Sequence, residues 1–398
     1  MQLRLGFFGA SGSGKTSLLA SYYGTQQTRK CEKEKGFHLL ASSNQQGEKL
    51  LQRYFGMRDG KFPDSTSMFE EYFFNFHLTG IEEDPIQISW YDYPGGWWGT
   101  DPTDALDLNI RKKAFVNLLS CHVAFLVIDG IRLGKEKAPY LRSLLSQFRN
   151  VIKKQRKLIH DNYGEEELKK YPKEWAIAMT KADAYRSLDA KKFAHEMIKA
   201  AGSQLEELAD EIGDGATLGK KFLILSAAEG TGDQVTDINK TIGLELIAPI
   251  AVRSTIEHLI ESSRKHQNEI EQRVANKVKE VGSGGLFGKA LKAAKNLVEN
   301  IDKFDDFLPV KWQIITQILK EMGLKDILNE EIKAMQASSE AEIKVIVADK
   351  EKRIASLKKS GKVMEAATEM MLKEIHAGNS NSTYFDTRSE CTASDQEG

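Results

Sequence analysis

Gly9-Ala-Ser-Gly-Ser-Gly-Lys-Thr16 decides the reading of this chain. A short apolar run, Leu3 to Phe8, leads into it as a strand, and Lys15 to about Tyr23 leaves it as a helix. A glycine-rich turn between a strand and a helix, closed by Lys and Thr, is the P-loop pattern. Its glycines let the backbone curl, so that N–H groups of Gly9, Ala10, Ser11, Gly12, Ser13 and Gly14 face phosphate oxygens. The positive end of the helix dipole adds to the same pull. Lys15 is expected to reach the β- and γ-phosphates, the Thr16 hydroxyl to bind Mg²⁺, and Ser17 to complete the cradle.

Outward from the loop, two kinds of strand appear. Tyr72, Phe74, Phe76 and Leu78 alternate with Glu71, Phe73, Asn75 and His77, and Ile86, Ile88 and Trp90 alternate with Gln87, Ser89 and Tyr91. That is the period of half-buried strands, and a short turn between them makes an antiparallel hairpin. Residues 122–129, 175–179 and 222–225 are instead nearly unbroken apolar runs, which suit parallel strands buried on both faces. Helical stretches at about 104–119, 136–157, 190–212 and 240–275 separate or follow them, and a further helix is expected near 45–54 within the polar stretch 24–62. The alternation predicts an α/β sheet, mostly parallel, with one antiparallel edge strand.

Three more motifs stand at strand ends. Asp92-Tyr-Pro-Gly95 closes the hairpin; the carboxylate suits Mg²⁺, and Gly95 can offer an unhindered N–H to a γ-phosphate. Thr180-Lys-Ala-Asp183 closes the strand that begins at Trp175. Asp183 can accept from both guanine N1–H and the exocyclic amine, a donor pair that adenine lacks. Two charged hydrogen bonds at about 1.5–3 kcal/mol each amount to roughly a hundredfold to ten-thousandfold in affinity. Lys181 can lie along the base. Ser226-Ala-Ala228 follows the last apolar strand, where the Ala227 N–H can meet guanine O6 and Ser226 can brace the loop.

In this order the four motifs resemble the Ras-like, translation-factor class of P-loop GTPases, over about residues 1–260. The resemblance implies a Ras-like G domain, GTP and GDP as ligands with Mg²⁺, and catalytic roles for Lys15, Gly95 and a switch I threonine that also binds the metal. Thr66 is the best match for that threonine, with Ser65 and Ser67 as alternatives. Metal contacts would then come from Thr16, Thr66 and Asp92. The string Tyr93-Pro-Gly-Gly-Trp-Trp98 is also similar to bacterial GTPases of defence and conflict systems. One place departs from the pattern. A glutamine that orients the attacking water usually follows DxxG, and here Gly96 stands there, before Trp97 and Trp98. Intrinsic hydrolysis is therefore expected to be slow or partner-dependent. Arg53 and Arg58 are candidates for an arginine finger in cis, though each reads more simply as a surface residue.

The remaining sequence sets limits. Of 398 residues, 41% are hydrophobic and 28% charged, ordinary for a globular protein. A formal net charge of -1 gives no global field for nucleic acid, and none is expected as a partner. Three scattered cysteines suit a reducing compartment, and no run is long enough to cross a bilayer, so a cytoplasmic location is expected. Beyond the G domain, residues 261–378 read as α-helical and 379–398 as a disordered tail. Apolar residues at helical spacing between Leu286 and Phe304, with Lys289, Lys292 and Lys295 between them, form a basic amphipathic stripe. Burial against other helices is favoured for it over membrane contact. The helices are expected to engage a protein partner or a second copy. Three functions compete: a GTP-hydrolysing switch, a nucleotide-binding scaffold that hardly turns over, and a dynamin-like membrane-associated assembly. An ATPase is a weaker fourth.

Overall fold

The computed structural model describes residues 2–27, 37–78, 85–163, 174–185, 188–213, 216–232, 234–248, 250–251 and 383–387. The helical region, its basic stripe and most of the tail therefore lie outside the described residues, as does the greater part of the expected 240–275 helix. The chain divides into two units, one of residues 1–81, 85–255 and 370–398, the other of 82–84 and 256–369. Every described residue belongs to the first unit.

In chain order its elements are β1 (Gln2–Phe8), α1 (Lys15–Gln26), β2 (Phe37–Ala41), α2 (Asn44–Arg58), β3 (Glu70–Leu78), β4 (Ile86–Asp92), α3 (Ala105–Leu119), β5 (Val123–Asp129), α4 (Gly130–Tyr163), β6 (Glu174–Thr180), α5 (Ala190–Ile212), β7 (Lys221–Ile224), β8 (Glu229–Thr231), β9 (Gln234–Asp237) and β10 (Tyr384–Asp386). Among the described residues, eight strands form one sheet in the order β10-β7-β6-β5-β1-β4-β3-β2. β4, β1, β5, β6 and β7 are mutually parallel. β3 runs antiparallel to β4, as the alternating pattern predicts.

Successive residues of β1 show how the sheet is filled. Phe7 stacks between Trp90 and Phe125, with centroids at 4.0 and 4.6 Å, and Tyr22 of α1 leans on Trp90. Phe8, on the opposite face, meets Trp175 and Phe148 of α4. Both faces of the central strands are thus covered by helices, which is why those strands read as continuous apolar runs.

Two edge strands go beyond the expected sheet. β2 lies in the polar stretch 24–62, where a helix but no strand is expected, yet Phe37 and Leu39 are buried and pair antiparallel with β3. β10 lies in the segment read as a disordered tail, and here that reading is corrected. Tyr384 and Phe385 are buried, and the strand pairs antiparallel with β7. Two adjacent aromatics supply enough apolar surface to dock a three-residue strand that a polar surround conceals. Among the described residues, no helix is long and apolar enough to cross a membrane.

Candidate functional site

In an open α/β sheet, ligands bind beyond the carboxyl ends of the parallel strands. There β1, β4, β5, β6 and β7 release the loops that carry all four motifs. The loops surround a cleft of about 720 Å³. Its walls include Ser11 to Ser17, Thr66, Gly95, Thr180, Lys181, Asp183 and Ser226 to Ala228. Gly9 and Ala10 stand just behind, since their carbonyls accept hydrogen bonds from Lys15 Nζ at 2.8 and 3.1 Å.

The P-loop keeps its shape through its own glycines and through two neighbours, Tyr93 and Thr180. Gly12 and Gly14 take φ of +72° and +87°, which only glycine adopts without strain. Tyr93 OH accepts from Gly9 N at 2.7 Å, and its ring lies 4.9 Å from Lys15 Nζ. Thr180 Oγ1 donates to Ser13 O at 2.8 Å, which ties the first residue of the TKxD motif to the loop. Burial lowers the Lys15 pKa to about 8, against the opposing pull of the Asp92 carboxylate. A phosphate placed beside this ammonium would favour its charged form.

The three residues assigned to a metal on sequence grounds converge. Thr16 and Thr66 hydroxyls share a hydrogen bond of 2.5 Å, and both reach Asp92 Oδ2, at 2.9 and 3.0 Å. Neither Ser65 nor Ser67 makes such a contact among the described hydrogen bonds, although Ser65 lines the cleft. Asp92 is 1% exposed, and burial raises its pKa, with Lys15 as the main opposing influence. Its Oδ1 is buried and has no hydrogen-bond partner. An all-oxygen donor set with an unpaired carboxylate oxygen fits a hard cation such as Mg²⁺.

At the other end, Asp183 is fixed in orientation. Its Oδ1 accepts from Ser226 Oγ at 2.6 Å and its Oδ2 from Gly230 N at 3.0 Å. Ser21 Oγ of α1 donates to Ala227 O at 2.6 Å, so the SA loop is braced against the helix that begins at the P-loop. Lys181, at φ 55°, donates through Nζ to Asp129 Oδ2 at 2.7 Å. Asp129, 5% exposed at the end of β5, was not singled out from the sequence.

Nor were Phe62, Arg132, Lys135, Gly230 and Thr231, all of which line the cleft. Their signal would have been position alone, at the ends of α2 and β5 and just past the SA loop. The candidate arginine fingers do not line the cleft. Arg53 Nη1 donates to Tyr72 OH at 2.7 Å and pairs with Glu70, and the Arg58 guanidinium lies over the Phe55 ring. Gly96 is exposed, and no atom lies within 4 Å of where a Cβ would stand. Among the described residues, no glutamine or histidine lines the cleft. Trp97 is half-buried against Phe115 and Arg111.

The family model for Double-GTPase 2 matches residues 3–224. No curated protein matches the chain. Among solved structures, the signal recognition particle receptor SRb-GTP/SRX complex from Chaetomium thermophilum shares 13% identity over 52% of this chain and 81% of its own, with a TM-score of 0.29. The mammalian SRP receptor shares 14% over 51% and 75%, with a TM-score of 0.26. The GTP-bound Ski7 GTPase-like domain of S. cerevisiae shares 15% over 57% and 42%, with a TM-score of 0.28.

Proposed function

The chain belongs to the Double-GTPase 2 family, and from that premise we propose that it is a guanine-nucleotide switch that hydrolyses GTP to GDP slowly or with a partner's help. The observation that supports this most is the meeting of two constellations in one cleft, the Thr16–Thr66–Asp92 cluster and the Asp183 carboxylate oriented by Ser226 and Gly230.

In this reading Asp183 selects guanine, and Lys15 and the P-loop amides neutralise the phosphates. Thr16, Thr66 and Asp92 would hold Mg²⁺, which would supply further neutralisation of the phosphate charge. Gly95 gives its N–H to the γ-phosphate. Water attacks the γ-phosphorus as the bond to the β–γ bridging oxygen breaks, and the charge migrates onto oxygens already faced by donors. When the γ-phosphate leaves, the Thr66 and Gly95 loops lose a shared ligand, and that difference is what a partner would read. Residues 261–378 are the proposed route to such a partner.

A second reading, a scaffold with little turnover, draws on the exposed Gly96 and the absence of glutamine and histidine from the described lining. Titration calorimetry and phosphate release decide both points. GTP is expected to bind at least about a hundredfold more tightly than ATP, with Asp183→Ala erasing the preference. Multiple-turnover phosphate release should vanish in Lys15→Ala. ATP bound as tightly as GTP overturns the nucleotide assignment; release at the buffer background with and without candidate activators leaves the scaffold.

A further inference from the structure

A hairpin past the SA loop joins two parts of the cleft that lie far apart in sequence. On one side, β8 brings Gly230 N to Asp183 Oδ2. β8 pairs with β9, Gly230 opposite Val235 and Thr231 opposite Gln234. On the other side, Val235 N donates to Gly60 O at 3.1 Å, and Lys61 and Gln234 form an antiparallel bridge. A Cβ at Gly230 would lie 3.1 Å from Phe62 Cζ, so that ring sits directly on the strand that faces Asp183. Phe62 is followed by Pro63, Asp64 and Ser65, which line the cleft, and then by Thr66, bonded to Thr16 and Asp92.

We propose that this hairpin is a positioning clasp that couples recognition of the base to the placement of Thr66, an inference that rests on the guanine-nucleotide reading above. The physical path is continuous. Donors of a base that reach Asp183 share its oxygens with Gly230 N–H, and a carboxylate oxygen has room for two. The orientation that satisfies both the base and Gly230 fixes the strand pair. The strand pair fixes Gly60 and Phe62, and those residues leave Thr66 little slack. A base that engages Asp183 fully therefore favours the arrangement in which Thr66 meets the metal, and by reciprocity the γ-phosphate favours full base contact.

Inosine nucleotides lack the exocyclic amine and make one contact fewer with Asp183. Dissociation constants are measured with Mg²⁺ for GTP, GDP, ITP and IDP. In the unaltered protein the GDP-to-GTP ratio should exceed the IDP-to-ITP ratio by about fivefold or more, the lower end of ordinary coupling. Val235→Pro removes the N–H that reaches Gly60 O and should bring the two ratios together, whereas Val235→Ala keeps that N–H and the difference. Should Val235→Pro fail to fold by circular dichroism, Phe62→Ala, which cuts the ring contact, carries the comparison. Equal ratios in the unaltered protein, or a difference that survives the folded clasp variants, overturn the proposal. Failure of the unaltered protein to bind any guanine nucleotide is a separate result, which overturns the functional reading and this inference with it.

Discussion

Gly95 shows how much a single missing side chain can carry. A Cβ there would stand 2.4 Å from Ser11 N and 2.5 Å from the Ala10 carbonyl carbon, both backbone atoms that cannot swing aside. Gly95→Ala must therefore push the DxxG loop off the P-loop. Overpacking of this kind costs about 1–3 kcal/mol, so GTP affinity should fall by about tenfold or more in calorimetry. At this scale the sequence was a good guide wherever a residue's role follows from its immediate neighbours. Gly12 and Gly14 are forced by the turn, and Asp92 and Thr180 by their strand ends. Residues whose role depends on a distant segment were opaque. Asp129 matters through Lys181, fifty-two positions on, and Gly230 matters through Asp183 and Phe62. Nothing adjacent to either marks it.

Between residue and molecule stands the wing formed by β2 and β3. His38 and His77 face each other across it, rings 4.9 Å apart and 6° from parallel. Burial, and then the neighbouring His38, lower the His77 pKa from its ordinary 6.5. The folded wing thus binds this proton less readily than the unfolded chain. Stability is at its full value above about pH 6.5, falls as pH drops through the window between the two pKa values, and stays reduced below it. Protection factors of the β2 and β3 amides, taken against the intrinsic base-catalysed exchange rate at each pH, should fall on acidification across that window, and His77→Phe should flatten the dependence. Protection factors that stay constant from pH 7.5 to pH 5 would contradict this. β3 itself was legible because nine residues give a clear alternation, whereas in the five of β2 the exposed Leu40 and then Ala41 follow the buried Phe37 and Leu39 and blur the period. Its helix partner α2 was found, though with fewer residues than it has, because Gly56 interrupts the pattern just past the expected end.

At the level of the described unit, the central sheet followed from the apolar runs, but its outer limit did not. β10 contributes two aromatic side chains, 4% and 9% exposed, to the β7 edge. Burial of such side chains stabilises by about 1.5–3 kcal/mol each, and a unit of this size shifts by roughly 2–4 °C per kcal/mol. A chain that lacks residues 383–398 should therefore melt on the order of 10 °C lower by calorimetry, with the nucleotide cleft still able to bind. An unchanged melting temperature would mean that β10 adds nothing to the sheet. The pairing also constrains how the protein is born. β7 is made by residue 224, yet its neighbour is not synthesised until residues 384–386. During translation of the whole intervening stretch, that flank offers bare amides and carbonyls to any extended peptide nearby. Nascent chains are thus exposed to mispairing late in synthesis, even after the phosphate-facing loops have formed.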